Sequence, residues 1–429
     1  MDAAPRVAVV GGGWAGLACA VEATLRGCPV TLFEMAPQLG GRARRVDVDE
    51  LALDNGQHIL IGAYRETLRV MQTVGIDPDA AFVRTPLRLA TPQGGGLSLP
   101  PGSPLIAFTR GVLAQRDWPL SSRVALLRAA SGWALHGFRC GPTVTVATLT
   151  SGLPAAVRAE LIEPLCVAAL NTPAAEASGA VFLRVICDAL FSGPGSADLL
   201  LPRLRLSALL PDPAASWLAQ RGADVRLGRR VQQVERNGER WRVDGEVFDA
   251  VLLATTPVEA ARLAQAHDAG WAAAAAALRY EPIVTVYAHS EGTRLPHPML
   301  ALASDEHTHP AQFVFDLGQL GAPAGRLAFV ISGARPWLDR GMDATREATL
   351  AQGHEALAHL LRGAMHPLQV LTEKRATFRC TPALDRPPMA IAPGLLAAGD
   401  YVQGPYPATL EGAVRSAVAA VRSLPPMGR

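Results

Sequence analysis

A chain of 429 residues with 49% hydrophobic and only 18% charged residues can bury a large core, which excludes disorder, and its length fits two domains. The 40 basic and 38 acidic residues nearly cancel, at +2, so no dominant basic face is available for nucleic acid. Six cysteines stand without a C-x-x-C pair or a His cluster, so they read as buried apolar thiols, and neither a metal site nor a disulfide framework is expected.

The β-branched run at residues 6–10 (RVAVV) predicts a strand buried on both faces. No basic n-region precedes it, so no signal peptide is read and a cytoplasmic protein is expected. A glycine cluster follows, then a helix over 15–26 stopped by Gly27, then a second buried strand over 30–34. Strand, turn, helix and strand in this order make a βαβ unit and imply a parallel sheet. Residues 76–204 mix Pro/Gly loops with helical stretches at 122–135 and 155–170. The uncharged runs 89–109 and 140–157 are broken by Pro, Gly and Thr, so neither reads as a membrane span. Strands are expected at 224–234, 240–243 and 248–254, and one Ala-rich helix at 258–280. Strands at 283–289 and 326–332 suggest a second sheet, followed by a helix at 343–362. The last strand, 394–398, leads through a Gly-Asp turn to a helix at 409–424, before Pro425 and Pro426. The expected architecture is α/β. A discontinuous Rossmann-like nucleotide-binding domain (1–75, 205–257, 385–429) holds an interleaved α+β substrate domain (76–204, 258–384).

Three motifs carry chemistry. Gly11-Gly12-Gly13-Trp14-Ala15-Gly16 is a G-x-G-x-x-G between a strand and a helix. Gly11 permits the tight turn, Gly13 lets backbone approach a pyrophosphate, and Gly16 lets the helix pack on the strand. The helix N-terminus, with Trp14 and Ala15 in its first turn, then faces the phosphates. Glu34, 18 residues beyond Gly16, has the spacing of an acid that binds ribose hydroxyls. Leu39-Gly40-Gly41-Arg42-Ala43 adds a glycine pair for close approach and an Arg for phosphate. Near the other end, Ala398-Gly399-Asp400-Tyr401 and Glu411-Gly412-Ala413-Val414-Arg415-Ser416 follow a buried strand.

These motifs resemble those of the amine oxidase and phytoene desaturase flavoproteins, with the GR2-type FAD-binding fold. The resemblance implies FAD as cofactor. It implies that Arg42 touches the pyrophosphate, that Gly399 and Asp400 bind the ribityl and phosphate part, and that Gly412 and Ala413 lie near the isoalloxazine. Val231, in Gly228-Arg229-Arg230-Val231, resembles the position whose backbone meets the adenine. Ala417 stands where the pattern has a Gly. Four further segments are similar to the squalene-associated FAD-dependent desaturase branch, the hydroxysqualene dehydroxylases. They are Leu53-Asp54-Asn55-Gly56-Gln57-His58-Ile59-Leu60, the segment from Glu163 to Pro173, Lys374-Arg375-Ala376-Thr377-Phe378, and Pro407-Ala408-Thr409-Leu410-Glu411-Gly412.

That likeness implies reductive removal of an allylic hydroxyl from hydroxysqualene, giving squalene for hopanoid synthesis. It implies a long isoprenoid in an apolar tunnel, with room for contact with the inner membrane face and with neighbouring enzymes of the pathway. Rival readings are an oxidative isoprenoid desaturase, another amine-oxidase-type flavoenzyme, or a non-catalytic prenyl-lipid carrier. Most amine oxidases place a Lys beside the flavin, and the only Lys here is Lys374. Hydroxide leaves poorly, so a proton donor is needed. His58, after the Gly56-Gln57 turn that the resemblance runs past the flavin, is the first candidate and Glu411 the second. Each has a structural alternative: a histidine bonded to loop backbone, and a helix cap. Tyr401 and Tyr406 are candidates for the pocket wall. A site Cys or His for covalent flavin attachment is missing from Gly404-Pro405-Tyr406-Pro407.

Overall fold

The strand Val7–Val10 is buried along its whole length, near the middle of a six-stranded sheet, in a computed structural model that describes residues 4–424. Across the sheet the order is Asp224–Arg226, Val30–Phe33, Val7–Val10, Ala250–Leu253, Leu395–Ala397 and Ala390–Ala392. The first five strands are parallel, and Ala390–Ala392 closes the edge antiparallel. Val7 lies opposite Val30 on one side and Ala250 on the other. Parallel neighbours need crossovers that cover the faces, which explains why the central strands Val7–Val10, Ala250–Leu253 and Leu395–Ala397 are apolar at every position rather than alternating.

The first crossover is the helix Trp14–Leu25, nine of whose 12 residues are buried. Gly27, at φ +77°, ends it, and the Cys28 N–H closes onto Ala23 O at 3.0 Å. The C-terminal helix Leu410–Ser423 packs against it. At that seam Ala417 is fully buried, with its carbonyl 3.9 Å from Cys19 Sγ.

A second, antiparallel sheet has the order Met299–Ala301, Phe313–Asp316, Arg326–Ile331, Tyr280–Ser290 and Met365–Phe378. Tyr280–Ser290 pairs with both long neighbours, Val284 lying opposite Ile331 and Thr372. Several elements depart from expectation. The Ala-rich stretch after residue 257 is two helices, Pro257–Ala264 and Ala269–Ala276. Asp268 separates them because its side chain accepts from the Trp271 N–H at 2.8 Å, an N-cap that starts a new helix. The stretch 155–170 is interrupted by a π-helical turn, Arg158–Ile162, before Glu163–Leu170. The stretch expected at 224–234 gives only Asp224–Arg226, and a separate strand begins at Val234. Met365–Phe378, the longest strand, has no sequence signal because polar and charged residues interrupt it and most of it is half-buried. Pro425 and Pro426 lie outside the described residues.

All six cysteines are unpaired; four are buried, while Cys140 and Cys187 are half-buried. Burial pushes the Cys380 thiol up to about 12. Among the described residues no helix is long and apolar enough to cross a membrane, and no group of three or more His, Cys, Asp or Glu is placed to hold a metal.

Asp54 joins the helix that begins at Leu206 to the antiparallel sheet. Its carboxylate accepts from the Leu206 N–H at 2.9 Å, and its carbonyl accepts from the Tyr287 hydroxyl at 2.8 Å. Burial raises its pKa to about 6, against the opposing pull of that hydrogen bond and of Arg205 and Arg45. The folded chain therefore keeps this proton to higher pH than the unfolded chain. Stability declines as pH rises from about 4 to about 6 and stays lower above that. Asp54→Asn is expected to be near neutral at pH 4 and to stabilise by about 2–3 kcal/mol at pH 8, read by urea unfolding at the two pH values. Equal effects at both would refute the assignment.

Candidate cofactor and substrate site

One cavity of about 650 Å³ runs from the C-terminal ends of the parallel strands to the antiparallel sheet. Glycines shape its start. Gly11 sits at φ +107°, and a Cβ there would lie 2.5 Å from Ala254 O. A Cβ at Gly16 would collide with the Gly11 carbonyl, so Gly16 lets the helix press on the strand end without itself lining the cavity. Gly13 differs: its nearest neighbour to a Cβ is Gly41 Cα, at 3.8 Å. The two glycine loops abut, with the Gly40 N–H donating to Gly12 O at 2.9 Å. The Trp14 indole N–H donates to Ala43 O at 2.9 Å and ties the loops together. The helix starting at Trp14 has no side-chain cap and no acid in its first turn, which leaves its N–H groups available for an anion. Ala15 lines the cavity beside it.

At the end beyond Gly11 the walls include Glu34, Val231 and Thr255. Glu34 is 8% exposed and accepts from the Gly12 N–H at 2.6 Å and the Ala36 N–H at 2.7 Å. The carboxylate therefore holds the glycine loop as well as facing the cavity. The Val231 carbonyl accepts from Arg262 Nη2 at 2.6 Å. Glu34→Ala is expected to weaken FAD by about 1–3 kcal/mol, the loss of charge-assisted hydrogen bonds. Flavin retained through dialysis reads this out, and unchanged retention would count against it.

Arg42 lines the middle, but its guanidinium bonds to this chain: Nη1 to Ala376 O at 2.7 Å and Nη2 to Asp400 Oδ1 at 2.6 Å. Burial lowers the Arg42 pKa, and the Asp400 charge and hydrogen bond more than offset this, so the net shift is upward. Arg42 thus positions Asp400, and the two together carry one balanced pair at the wall. Gly399 and Ala413 line the same stretch, with the Gly399 N–H donating to Ser416 Oγ at 2.8 Å.

Past Arg42 lie Gly56, Gln57 and His58. Gly56 is at φ +89°, and Thr285 Oγ1 comes 3.5 Å from the position of a Cβ. His58 Nδ1 is 2.9 Å from Gly56 O, so the backbone-bonded arrangement is present. Burial lowers the His58 pKa and the Arg42 charge lowers it further, while the Gly56 hydrogen bond opposes both. Glu373, Ala376 and Thr377 face the cavity from the edge strand, whereas Lys374 is exposed and does not line it.

The second proton-donor candidate needs correction. Glu411 is fully buried and does not line the cavity. Its carboxylate accepts from the Glu66 N–H at 3.1 Å, the Thr67 N–H at 2.9 Å, Thr67 Oγ1 at 2.7 Å and Arg415 Nε at 2.6 Å. It caps another helix, Arg65–Thr73, while Thr409 caps its own by accepting from the Gly412 N–H at 3.0 Å. Gly412 also stays out of the cavity, because a Cβ there would collide with Tyr406 O. Tyr401 is core, 1% exposed and absent from the cavity wall.

Tyr406 does line the cavity, at φ +58° and with Ala408 at +57°, a strained turn of the kind found at functional sites. Sequence reasoning missed its companions. Tyr64 meets Tyr406 edge-to-face at 6.0 Å, and Arg184 pairs with Asp188 at 2.9 Å, all of them cavity residues. Burial raises the Tyr64 pKa, and Glu411 adds to it, so this phenol keeps its proton. Only the i,i+4 spacing of Arg184 and Asp188 was available as a signal, and it reads as an ordinary helix pair. Beyond these polar groups the cavity is walled by Ile61, Leu89, Leu165, Val185, Met299 and Phe313.

The flavin-containing amine oxidoreductase model matches residues 14–424. The chain belongs to this family. It is an FAD-dependent oxidoreductase, and its residues fit that cofactor: the paired glycine loops leave backbone space, and Thr285 Oγ1 is a buried cavity atom with no partner. Hydroxysqualene dehydroxylase of Sinorhizobium fredii is 27% identical over 96% of both chains. That of Rhodopseudomonas palustris is 28% identical, again over 96% of both. An oxidoreductase of Methanosarcina mazei shares the oxidoreductase fold, with a TM-score of 0.75 over 97% of this chain and all of that one, at 15% identity.

Proposed function

We propose that this oxidoreductase removes the allylic hydroxyl of hydroxysqualene reductively, giving squalene for hopanoid synthesis. The observation that carries the reading is the cavity of about 650 Å³, in which the glycine cradle is continuous with an apolar arm walled by Ile61, Leu89, Leu165, Val185, Met299 and Phe313. The likeness to hydroxysqualene dehydroxylases along nearly the whole chain supports the same substrate. Reduced FAD, when bound, supplies the hydride that takes the place of the hydroxyl.

The chain's own residues bind and orient. The apolar arm holds the isoprenoid and excludes water from a cationic carbon. His58, Tyr64 and Tyr406 stand at the junction, where a departing hydroxyl needs a proton. His58 is held below the ordinary imidazole pKa, so its charged form is scarce at neutral pH and grows as pH falls. Turnover through His58 is therefore expected to rise toward acid pH. His58→Ala is expected to flatten that profile and cost about 10²–10⁴-fold at equal flavin content. A loss below about tenfold moves the donor role to the Tyr64–Tyr406 pair.

The reaction itself is tested by mixing chemically reduced enzyme with hydroxysqualene without oxygen. Squalene is expected, one molecule per flavin oxidised, by mass spectrometry. Flavin that stays reduced, or a product with an added double bond, would overturn the proposal.

A further inference from the structure

The helices Pro104–Ala114 and Leu120–Leu135 pack on each other and carry apolar side chains that stay exposed among the described residues. Six of the 12 exposed large hydrophobic residues among the described residues fall between Leu105 and Leu135. Ile106 and Leu113 are 54% and 46% exposed, and the seven-residue spacing puts them on one helix face. Leu120 and Val124 share a face of the second helix at 64% and 44%, and Leu135 at its end is 86% exposed. Arg123 links the two helices, donating to Leu113 O and Trp118 O at 2.9 Å each.

Charge supplies the second observation. From residue 104 to 139 the one acid is Asp117, against five arginines. Arg110, Arg116, Arg128 and Arg139 are exposed. An apolar face rimmed by arginine matches an anionic lipid surface, where apolar side chains enter the headgroup boundary and guanidinium groups stay at the phosphates.

The third observation is continuity with the site. A smaller cavity of about 170 Å³ is walled by Pro104 and Ala107 of the first helix. It shares Leu87 and Ala197 with the main cavity, at the end of the apolar arm. The first helix also packs on Gly179–Phe191, which lines that arm through Val181 and Val185.

We propose that this helix pair docks the protein on an anionic bilayer and that the small cavity beneath it is the passage by which an apolar substrate enters from the lipid. Docking stands independently of the reaction proposed above; the passage rests on it, since an isoprenoid partitions into the bilayer.

The test uses the flavin-loaded full chain and the triple variant Leu113→Glu/Leu120→Glu/Leu135→Glu, none of which lines a cavity. Equal flavin content and melting temperature establish that the variant folds. Vesicles of phosphatidylcholine, with or without phosphatidylglycerol, are sedimented with each protein. The wild type is expected to bind the anionic vesicles, weakly in high salt, and the variant to lose about tenfold or more in partitioning. Turnover of hydroxysqualene dispersed in detergent is expected to be equal for both. With substrate delivered in anionic vesicles, the variant is expected to be about tenfold slower. A wild type that stays in the supernatant, or a variant that binds equally, would overturn docking. So would light scattering that shows a wild-type dimer converted to monomer by the variant, since a second copy would then cover the patch. Equal turnover from vesicles would overturn the passage. No turnover in detergent by either protein would refute the reaction, while sedimentation still decides docking.

Discussion

Gly13→Trp is expected to give a folded protein without flavin. Gly13 has an ordinary extended backbone, φ −74° and ψ −177°, which any residue adopts. Its Cβ would meet only Gly41 Cα, at contact distance, so the added side chain has nowhere to go but the cavity that both residues line. Filling the cradle should cost FAD affinity about a hundredfold or more, ~2.7 kcal/mol. The purified protein should be colourless, with far-ultraviolet circular dichroism close to that of wild-type apoprotein. Gly16→Ala is the contrast. Its methyl would collide with the Gly11 carbonyl, so it should damage folding rather than the cofactor site alone. A yellow Gly13→Trp protein would refute the cradle.

Glu411→Ala is expected to destabilise strongly and to leave the chemistry nearly untouched. The carboxylate is fully buried and joins the final helix to the start of Arg65–Thr73. Removing it strands the Arg415 guanidinium and two backbone N–H groups. Loss of one partner of a buried, hydrogen-bonded charge pair costs about 3–5 kcal/mol. The side chain of Arg415 is 32% exposed, so part of that cost is relieved by water, and the lower end is expected. Urea unfolding measures it. Turnover per bound flavin should stay within about threefold of wild type, far short of the 10²–10⁴-fold of a general acid. A hundredfold loss of turnover at unchanged stability would restore Glu411 as the donor.

What the amino-acid order determined by itself was local. Residues 6–34 announce a βαβ unit because buried parallel strands need unbroken apolar runs and the turn needs glycine. Gly11, Gly13, Gly16 and Glu34 are each specified by their distance from one strand end, so their grouping survives without knowledge of the fold. The Gly-Asp turn at 399–400 is legible for the same reason. The tertiary structure decided whatever depends on partners distant in sequence. Glu411 meets Thr67 across 344 residues, and Arg42 meets Asp400 across 358. A carboxylate's role is set by what surrounds it, and that was absent from the motif that contains Glu411. Tyr64 and the Arg184–Asp188 pair of one helix gather around Tyr406, and the i,i+4 spacing of that pair reads as an ordinary helix contact. Met365–Phe378 forms a strand because Tyr280–Ser290 offers it a ladder of backbone partners, and its own residues show no period of two. Periodicity and glycine geometry act over a few residues and can be read from the chain, whereas burial, counter-charge and strand pairing arise only when distant segments meet.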